Sequence, residues 1–499
     1  MPSLPLLPLA AIESRALRWP DYVMLTVYFA LNLGIGAWCA KRKKTGKDSF
    51  FLGSGQVAWW LAAISTFATG ISSISFMALP AKAFQTDWMA FGSAPAQNLA
   101  GVATGILFVG LLRRLSMTTV FDYLERRFDR RVRLLGAGLA VLLKAFGRMS
   151  VVMLLPALAL ATVTGLNVYL SILLMGIVTT IYAMEGGFDA VIWTDVLQVS
   201  VMVGGVAFAL WCMASGVDGG IGGIASHAHA AGKFHMISWD LDFTRPTVSV
   251  FFGMFLATMF TQVSDQPFMQ RMLATSGEKD ARRTVVVGNI LMLISAAVFF
   301  FVGTSLWAFY QAHPDRISPD VMNDKIFPYF IANELPVGVV GVIIAGLFAA
   351  AMGAMSSALN ATAAVVVTDF YVVFRPDAGA EARTWLARRT TLIAGVMATA
   401  MAAFLAWRNA ASLWDEYLRL AALIGGGFPG VFALGLLTRR ANAPGVLIGA
   451  IASIPVTWWM QSQTATNVFF QGFVAIASCM VIGYLASFAF AGSAKTKPL

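Results

Sequence analysis

Charge is scarce in this chain. Asp, Glu, Lys and Arg make up 12% of its 499 residues, against 58% hydrophobic residues. A soluble domain carries about 25% charged side chains. With a mean hydropathy of +0.73, the shortfall excludes a soluble enzyme carrying one anchor and points to a chain that crosses a bilayer many times. Cysteine is sparser still: Cys39, Cys212 and Cys479 all sit in apolar runs. That pattern gives neither a disulfide framework nor metal-ligand spacing. The four histidines, His227, His229, His235 and His313, fall in loops between apolar runs, and the His227/His229 pair reads as solvated loop. No P-loop and no glycine fingerprint after a strand is present, so ATP-driven transport has no support. No metalloprotease or hydrolase signature appears either, and the chain is not expected to be an enzyme. The stretch L-P-L-L-P-L-A-A-I (residues 4–12) has two prolines, no basic n-region before it and too short an apolar run, so a signal peptide is not expected. The net charge of +10 is not a nucleic-acid signal, because loop-gathered basic residues account for it.

What the chain does have is long apolar runs. They fall at about 20–40, 59–84, 92–113, 134–164, 168–184, 190–215, 246–266, 285–313, 336–370, 389–407, 412–437, 444–461 and 468–491. The expected fold is an all-α membrane protein of about thirteen transmembrane helices, one polytopic unit over residues 1–499. Basic residues crowd one set of loops: Lys41 to Lys47, Arg113 to Arg133, Arg271 to Arg283, Arg375 to Arg389, Arg439 with Arg440, and Lys495 with Lys497. The other loops hold Arg15, Arg18, Lys233, Arg245, Arg316, Lys325 and Arg408. This bias puts the N-terminus outside and the C-terminus in the cytoplasm. The largest external segment, about 216–245, has no evident fold of its own.

Two apolar runs are interrupted. From Ser65 to Ser75 the chain reads S-T-F-A-T-G-I-S-S-I-S, with Pro80 following. In hydrocarbon a broken helix survives only where it lines a cavity or is buried in protein. The same residues would also serve a close helix-packing face. Five spans later the run from Phe251 ends in T-Q-V-S-D-Q-P, Thr261 to Pro267. Five is odd, so a repeat of five helices returns inverted. Two broken helices at matching positions of inverted halves mark the binding site of a rocking-bundle transporter. The halves run over about 59–215 and 246–437, with one extra helix before and two after.

Ionisable groups within spans are functional candidates. Arg148 lies near the middle of the fourth span, and its planar fork suits a carboxylate. Its alternative is hydrogen bonding to carbonyls of a broken helix. Lys144 is one turn earlier on the same face, and Asp195 in the sixth span is a candidate partner for it. Ser356 and Ser357 bring adjacent hydroxyls into the ninth span. With Asp195 they would offer a small hard cation an oxygen site, should spans six and nine meet; ordinary Ser-to-backbone bonding is the alternative. Asp415 and Arg419 read as a surface-reaching pair, and Asp265 with Arg271 as a structural or gating pair.

Four segments carry a resemblance: G-G-F-D-A-V-I-W-T-D-V-L-Q (Gly186–Gln198), D-Q-P-F-M-Q-R (Asp265–Arg271), A-A-A-M-G-A-M-S-S-A-L-N (Ala349–Asn360) and R-R-A-N-A-P-G (Arg439–Gly445). With them the chain resembles the sodium:solute symporter family, whose members share a LeuT-like core of five plus five inverted helices. Its F-A-T-G-I-S-S-I-S-F-M-A-L-P-A-K-A-F (Phe67–Phe84) and the Gly147-Arg148 pair are most similar to bacterial sialic acid symporters. The resemblance implies that Arg148 holds a substrate carboxylate and that Ser72, Ser73 and Ser75 hydrogen-bond the substrate. It implies a common sodium site at the carbonyls of Ala68, Ile71 and Ala350, and a second at Asp195, Ser356 and Ser357.

Two positions depart from the family pattern. Gly353 and Ala354 stand where the common sodium site takes two hydroxyls. Ala94 stands where sialic acid carriers place a glutamine, and Gln97 lies one turn on. The expectation is therefore a bacterial inner-membrane symporter importing a small organic solute, a carboxylated sugar such as sialic acid, by alternating access. Its coupling cation is sodium, or a proton carried on Asp195. An uncoupled facilitator on the same fold and a non-transporting membrane sensor are the rivals. A sensor is expected to carry a signalling domain, and the tail after Phe490 gives none. A channel ranks below both.

Overall fold

The computed structural model of the protein describes residues 17–41, 49–53, 55–115, 117–317, 325–407 and 421–490. Among them every regular element is a helix, with one backbone bridge joining Val57 to Thr275. In chain order the helices that matter are α1 (Trp19–Lys41), α2 (Trp59–Gly70), α3 (Ser73–Gln85) and α4 (Ser93–Leu107). Then come α5 (Arg130–Leu143), α6 (Met149–Thr164), α7 (Val168–Ser215) and α8 (Gly220–Ala230). They are followed by α9 (Val248–Ser264), α10 (Gln266–Leu273), α11 (Glu278–Ala312), α12 (Val339–Val365) and α13 (Ala380–Trp407). The last three are α14 (Phe428–Leu437), α15 (Ala443–Gln463) and α16 (Val468–Ala489).

Among the described residues seven helices are long and apolar enough to cross a bilayer, and two bent pairs bring the number to nine. The difference from thirteen runs has two visible sources. Residues 168–215 form one helical element that the sequence divides in two, and short apolar pieces such as α14 fall below spanning length. Straight, α7 would run about 72 Å, more than twice the ~30 Å hydrocarbon thickness. It does not run straight, because Gly187 sits at φ 61, ψ −146, a conformation essentially reserved for glycine.

Helix α12 lies at the centre. Its A-G-L-F-A-A-A-M-G-A-M-S-S-A-L-N run is buried on all faces, which small side chains permit by letting neighbouring backbones approach closely. Around it pack α7, α1, α13 and α6. Helix α1 buries Leu25, Tyr28, Asn32, Gly36 and Cys39 at helical spacing and turns Val23, Val27 and Leu31 outward. Outward-facing Leu173, Ile177 and Ile181 of α7, and Val481 and Leu485 of α16, extend the same apolar exterior. Such a surface belongs against lipid tails. Asp21 ties α1 to the start of α12, accepting from the backbone N–H of Gly338 (2.8 Å) and Gly341 (3.0 Å). Those donors have no partner within the helix, so the carboxylate satisfies them and complements the helix dipole.

The segment 216–245 holds more structure than its composition suggests. Helix α8 buries Ile224 and Ala228 and carries His227 and His229, which therefore lie on a helix. Lys233 follows it and donates to the carbonyls of Phe84 (2.8 Å) and Thr86 (2.7 Å), capping the C-terminal end of α3. Burial pulls the Lys233 ammonium below its ordinary pKa, and the Asp87 carboxylate works against that shift. Among the described residues no group of three His, Cys, Asp or Glu side chains could hold a metal ion. Asp415, Arg419, Arg15, Arg408, Arg42 to Lys47, Lys495 and Lys497 lie outside the described residues.

Candidate functional site

Both interruptions read from the sequence are present. Helix α2 ends at Gly70, Ile71 (φ −80, ψ 133) and Ser72 (φ −124, ψ 166) are extended, and α3 sets off at 60° to α2. Glycine and serine are weak formers of helix interior, which favours this stop, and the Ser72 hydroxyl at the start of α3 makes no capping bond. Helix α9 ends at Ser264. Asp265 is extended (φ −88, ψ 103), and α10 begins with Gln266-Pro267 at 61° to α9. Proline within the first helical turn loses no hydrogen bond.

Between the breaks lies a cavity of about 620 Å³ that Gly70 of the first and Asp265 of the second both line. Its wall also carries Gln97, Lys144, Arg148 and Thr261. Lys144 and Arg148 bound a short π-helical turn, residues 144–148, between α5 and α6. The extra residue in that turn is a feature frequently found at functional sites. Arg148 is 27% exposed, and its Nη1 lies 3.8 Å from Asp265 Oδ2. Lys144 Nζ contacts the other oxygen of Asp265. The partner expected for Lys144 was Asp195; the structure gives it Asp265, which the bend after α9 swings toward the cavity.

The serines of the first break sit differently from the expectation drawn from the resemblance. Ser73 is buried and donates to the Val152 carbonyl (2.9 Å). Ser72 is buried, Ser75 is half-buried, and neither is among the residues lining the cavity. At this break Gly70 forms the wall, with Met292 packed against it.

A second polar cluster lies behind the break, where α2, α7, α10 and α12 meet. Arg271 is 1% exposed. It donates through Nε to Ser65 Oγ (3.0 Å), through Nη1 to the Pro267 carbonyl (2.7 Å) and through Nη2 to Ser357 Oγ (2.5 Å). The same Nη2 is 3.5 Å from Asp195 Oδ2, and Ser65 Oγ donates to that oxygen as well. So Arg271 pairs with Asp195, where the sequence suggested Asp265. Ser357 Oγ also lies 3.0 Å from Thr69 Oγ1, and Ser356 Oγ donates to the Gly353 carbonyl (3.1 Å). The fold thus brings Asp195 and Ser357 into one buried cluster, with the guanidinium between them.

Two oxygens in this cluster have no hydrogen-bond partner: Asp195 Oδ1 and Gln198 Oε1. Both face the space that the missing side chain of Gly353 leaves. A Cβ built there would stand 2.8 Å from Gln198 Oε1, 3.4 Å from Asp195 Oδ1 and 3.6 Å from the Ala68 carbonyl oxygen. Ala68, Ile71, Ala350 and Ala354 are buried. Orphaned buried oxygens are costly, and carboxylate, amide and carbonyl oxygens together suit a small hard cation. The donor set therefore fits a sodium ion. Gln198 closes the Gly186–Gln198 segment with no charge to single it out as a ligand, although it stands three residues after Asp195 and so on the same helix face.

Two interrupted spans around a cavity, with a buried oxygen cluster behind one of them, define a secondary transporter. The profile of the sodium:solute symporter family matches residues 50–453, and the chain belongs to that family. It is a membrane symporter, not an enzyme. Among its relatives is the sodium/sialic acid symporter NanT of Aliivibrio fischeri, 33% identical over 95% of this chain and 94% of the relative. SiaT of Proteus mirabilis, also a sodium/sialic acid symporter, is 33% identical over 94% and 95%. The sodium/glucose cotransporter of Vibrio parahaemolyticus is 27% identical over 90% and 86%. The outward-open, substrate-bound structure of a Na+-coupled sialic acid symporter superposes with a TM-score of 0.88 at 31% identity, covering 96% of this chain and all of that one. Mhp1, a nucleobase-cation-symport-1 transporter, shares the fold, with a TM-score of 0.60 at 14% identity over 89% and 94%.

Proposed function

We propose that the chain imports a carboxylated sugar of the sialic acid kind together with sodium. The observation that carries this reading is the charge on the cavity wall: Lys144 and Arg148 face a single carboxylate, Asp265. Lys144 already contacts Asp265 closely, which leaves the Arg148 fork, held only by a 3.8 Å approach to Asp265, as the anchor for a monoanion. A cavity of about 620 Å³ suits a ligand of that size, since small-molecule sites run to about 300–1,000 Å³. The two relatives at 33% identity are both sodium/sialic acid symporters, which supports this substrate class. Gln97 would contact the solute beside Arg148. Ser72, Ser73 and Ser75 would shape the break.

Sodium would bind among Asp195, Ser356, Ser357 and the Ala68 carbonyl, with Ile71 and Ala350 flanking. Its part is to favour one conformation through its higher affinity for it. The arrangement would be about thirteen spans, with inverted LeuT-like repeats over about 59–215 and 246–437. In a bacterial inner membrane the N-terminus would be outside and the C-terminus cytoplasmic.

The test is uptake of radiolabelled sialic acid and of a neutral hexose into proteoliposomes. Sodium and proton gradients are imposed separately. Sodium-driven accumulation of the acid alone is the expected result. Uptake indifferent to both gradients makes the protein an uncoupled facilitator.

A further inference from the structure

We propose that Gln198 is a sodium ligand that takes over from the hydroxyl missing at position 353, and that α1 holds it in place. The proposal rests on the reading of Asp195 as part of the cation site. Three oxygens from two helices wall the space over Gly353 of α12: Ala68 O from α2, and Asp195 Oδ1 and Gln198 Oε1 one turn apart on α7. A fully buried amide oxygen with no donor is costly unless a cation or a water completes it.

The orientation of that amide is set in part from outside the repeats, by α1, and in part by Tyr182 of α7 itself. Gln198 Nε2 donates to Asn32 Oδ1 (3.2 Å) and to Tyr182 Oη (3.3 Å). Asn32 in turn donates through Nδ2 to the Tyr28 carbonyl (2.9 Å), which fixes its own amide and turns its oxygen to Gln198. With both amide hydrogens engaged, Gln198 presents oxygen, not nitrogen, to the space over Gly353. Helix α1, which precedes the first repeat, thereby reaches the cation through one side chain.

The same arrangement merges two sites into one. The Ala68 carbonyl belongs to the first expected sodium site and Asp195 to the second, yet both face the same point, at 3.6 and 3.4 Å. Gly353 is what lets them meet, since any side chain there would fill the space and press on Gln198.

The experiment is sodium binding to the purified full-length protein in nanodiscs. It is followed by calorimetry and by the sodium-dependent rise in melting temperature, with choline keeping ionic strength constant. Q198L should weaken sodium binding about ten- to a hundredfold. N32L, which removes one of the two acceptors that orient the amide and leaves Tyr182, should weaken it less, about threefold to tenfold. The double variant Q198A/G353S should recover most of the affinity, because a hydroxyl at 353 then has room and replaces the amide oxygen. A merely structural glutamine would not be rescued in this way, so failure of the rescue overturns the proposal. So does Q198L binding sodium like the parent while D195N does not. Should D195N itself bind sodium unchanged, the cation-site reading falls, and this proposal with it.

Discussion

At the scale of single residues, the chemistry concentrates on two arginines with opposite duties. Arg271 is enclosed and hydrogen-bonded on every side, so it acts as a clamp holding α2, α7, α10 and α12 around Asp195. Arg148 is part-exposed to the cavity and weakly engaged, so it has capacity left for a ligand. Arg148→Ala should therefore weaken binding of a carboxylated solute by about 1.5–3 kcal/mol, roughly ten- to a hundredfold. Calorimetry on the purified protein reads this, and unchanged affinity removes Arg148 from the site. Asp265→Asn should act the other way. Without that carboxylate Lys144 and Arg148 are both uncompensated, and an anionic solute should bind several-fold more tightly while the empty protein melts at a lower temperature. A loss of solute affinity would mean that Asp265 itself holds the solute.

The elements show how far residue patterns reach. Both interrupted spans were legible because glycine, serine and proline intrude on otherwise apolar runs, and backbone unwinding in a membrane requires such residues. The bend at Gly187 was legible as a gap in hydropathy around Glu185-Gly186-Gly187, though not as a positive φ. What the sequence did not give away was who meets whom. Lys144 and Asp265 are 121 residues apart and Arg271 and Asp195 are 76 apart. A formal charge in a span announces that a partner exists without saying which of several carboxylates it is. Gln198 carries no charge and so raised no question at all. Gly187 gives the test at this scale. Gly187→Ala forces a side chain into a conformation that costs about 1–3 kcal/mol, so the melting temperature in detergent should fall clearly. Gly204→Ala on the lipid face of the same helix, where an added Cβ meets nothing within 4 Å, should leave it level or raise it. Equal behaviour of the two variants would mean that the Gly187 break bears no strain.

For the whole molecule, the question is how much charge moves in one cycle. Two separate sodium ions carried with a monoanion would transfer one net positive charge. One charge crossing 100 mV is worth about 2.3 kcal/mol, or about fiftyfold in the accumulation ratio. Here the Ala68 carbonyl and the Asp195 carboxylate converge on the space over Gly353, and neither Gly353 nor Ala354 brings a hydroxyl to support a second ion. A single sodium with a single carboxylate is electroneutral. We therefore expect that imposing an inside-negative potential of about 100 mV with valinomycin and potassium leaves sodium-driven accumulation of the acid within about twofold of its value at zero potential. The sodium dependence of initial uptake should be hyperbolic, not sigmoid. Introducing G353S and A354S together with Q198A, which makes room at 353, restores hydroxyls at both positions. If that variant still binds sodium, its uptake should become sensitive to potential. Accumulation by the parent protein that rises about fiftyfold with the potential would require a second ion and a second site, and the merged site over Gly353 would have to be abandoned.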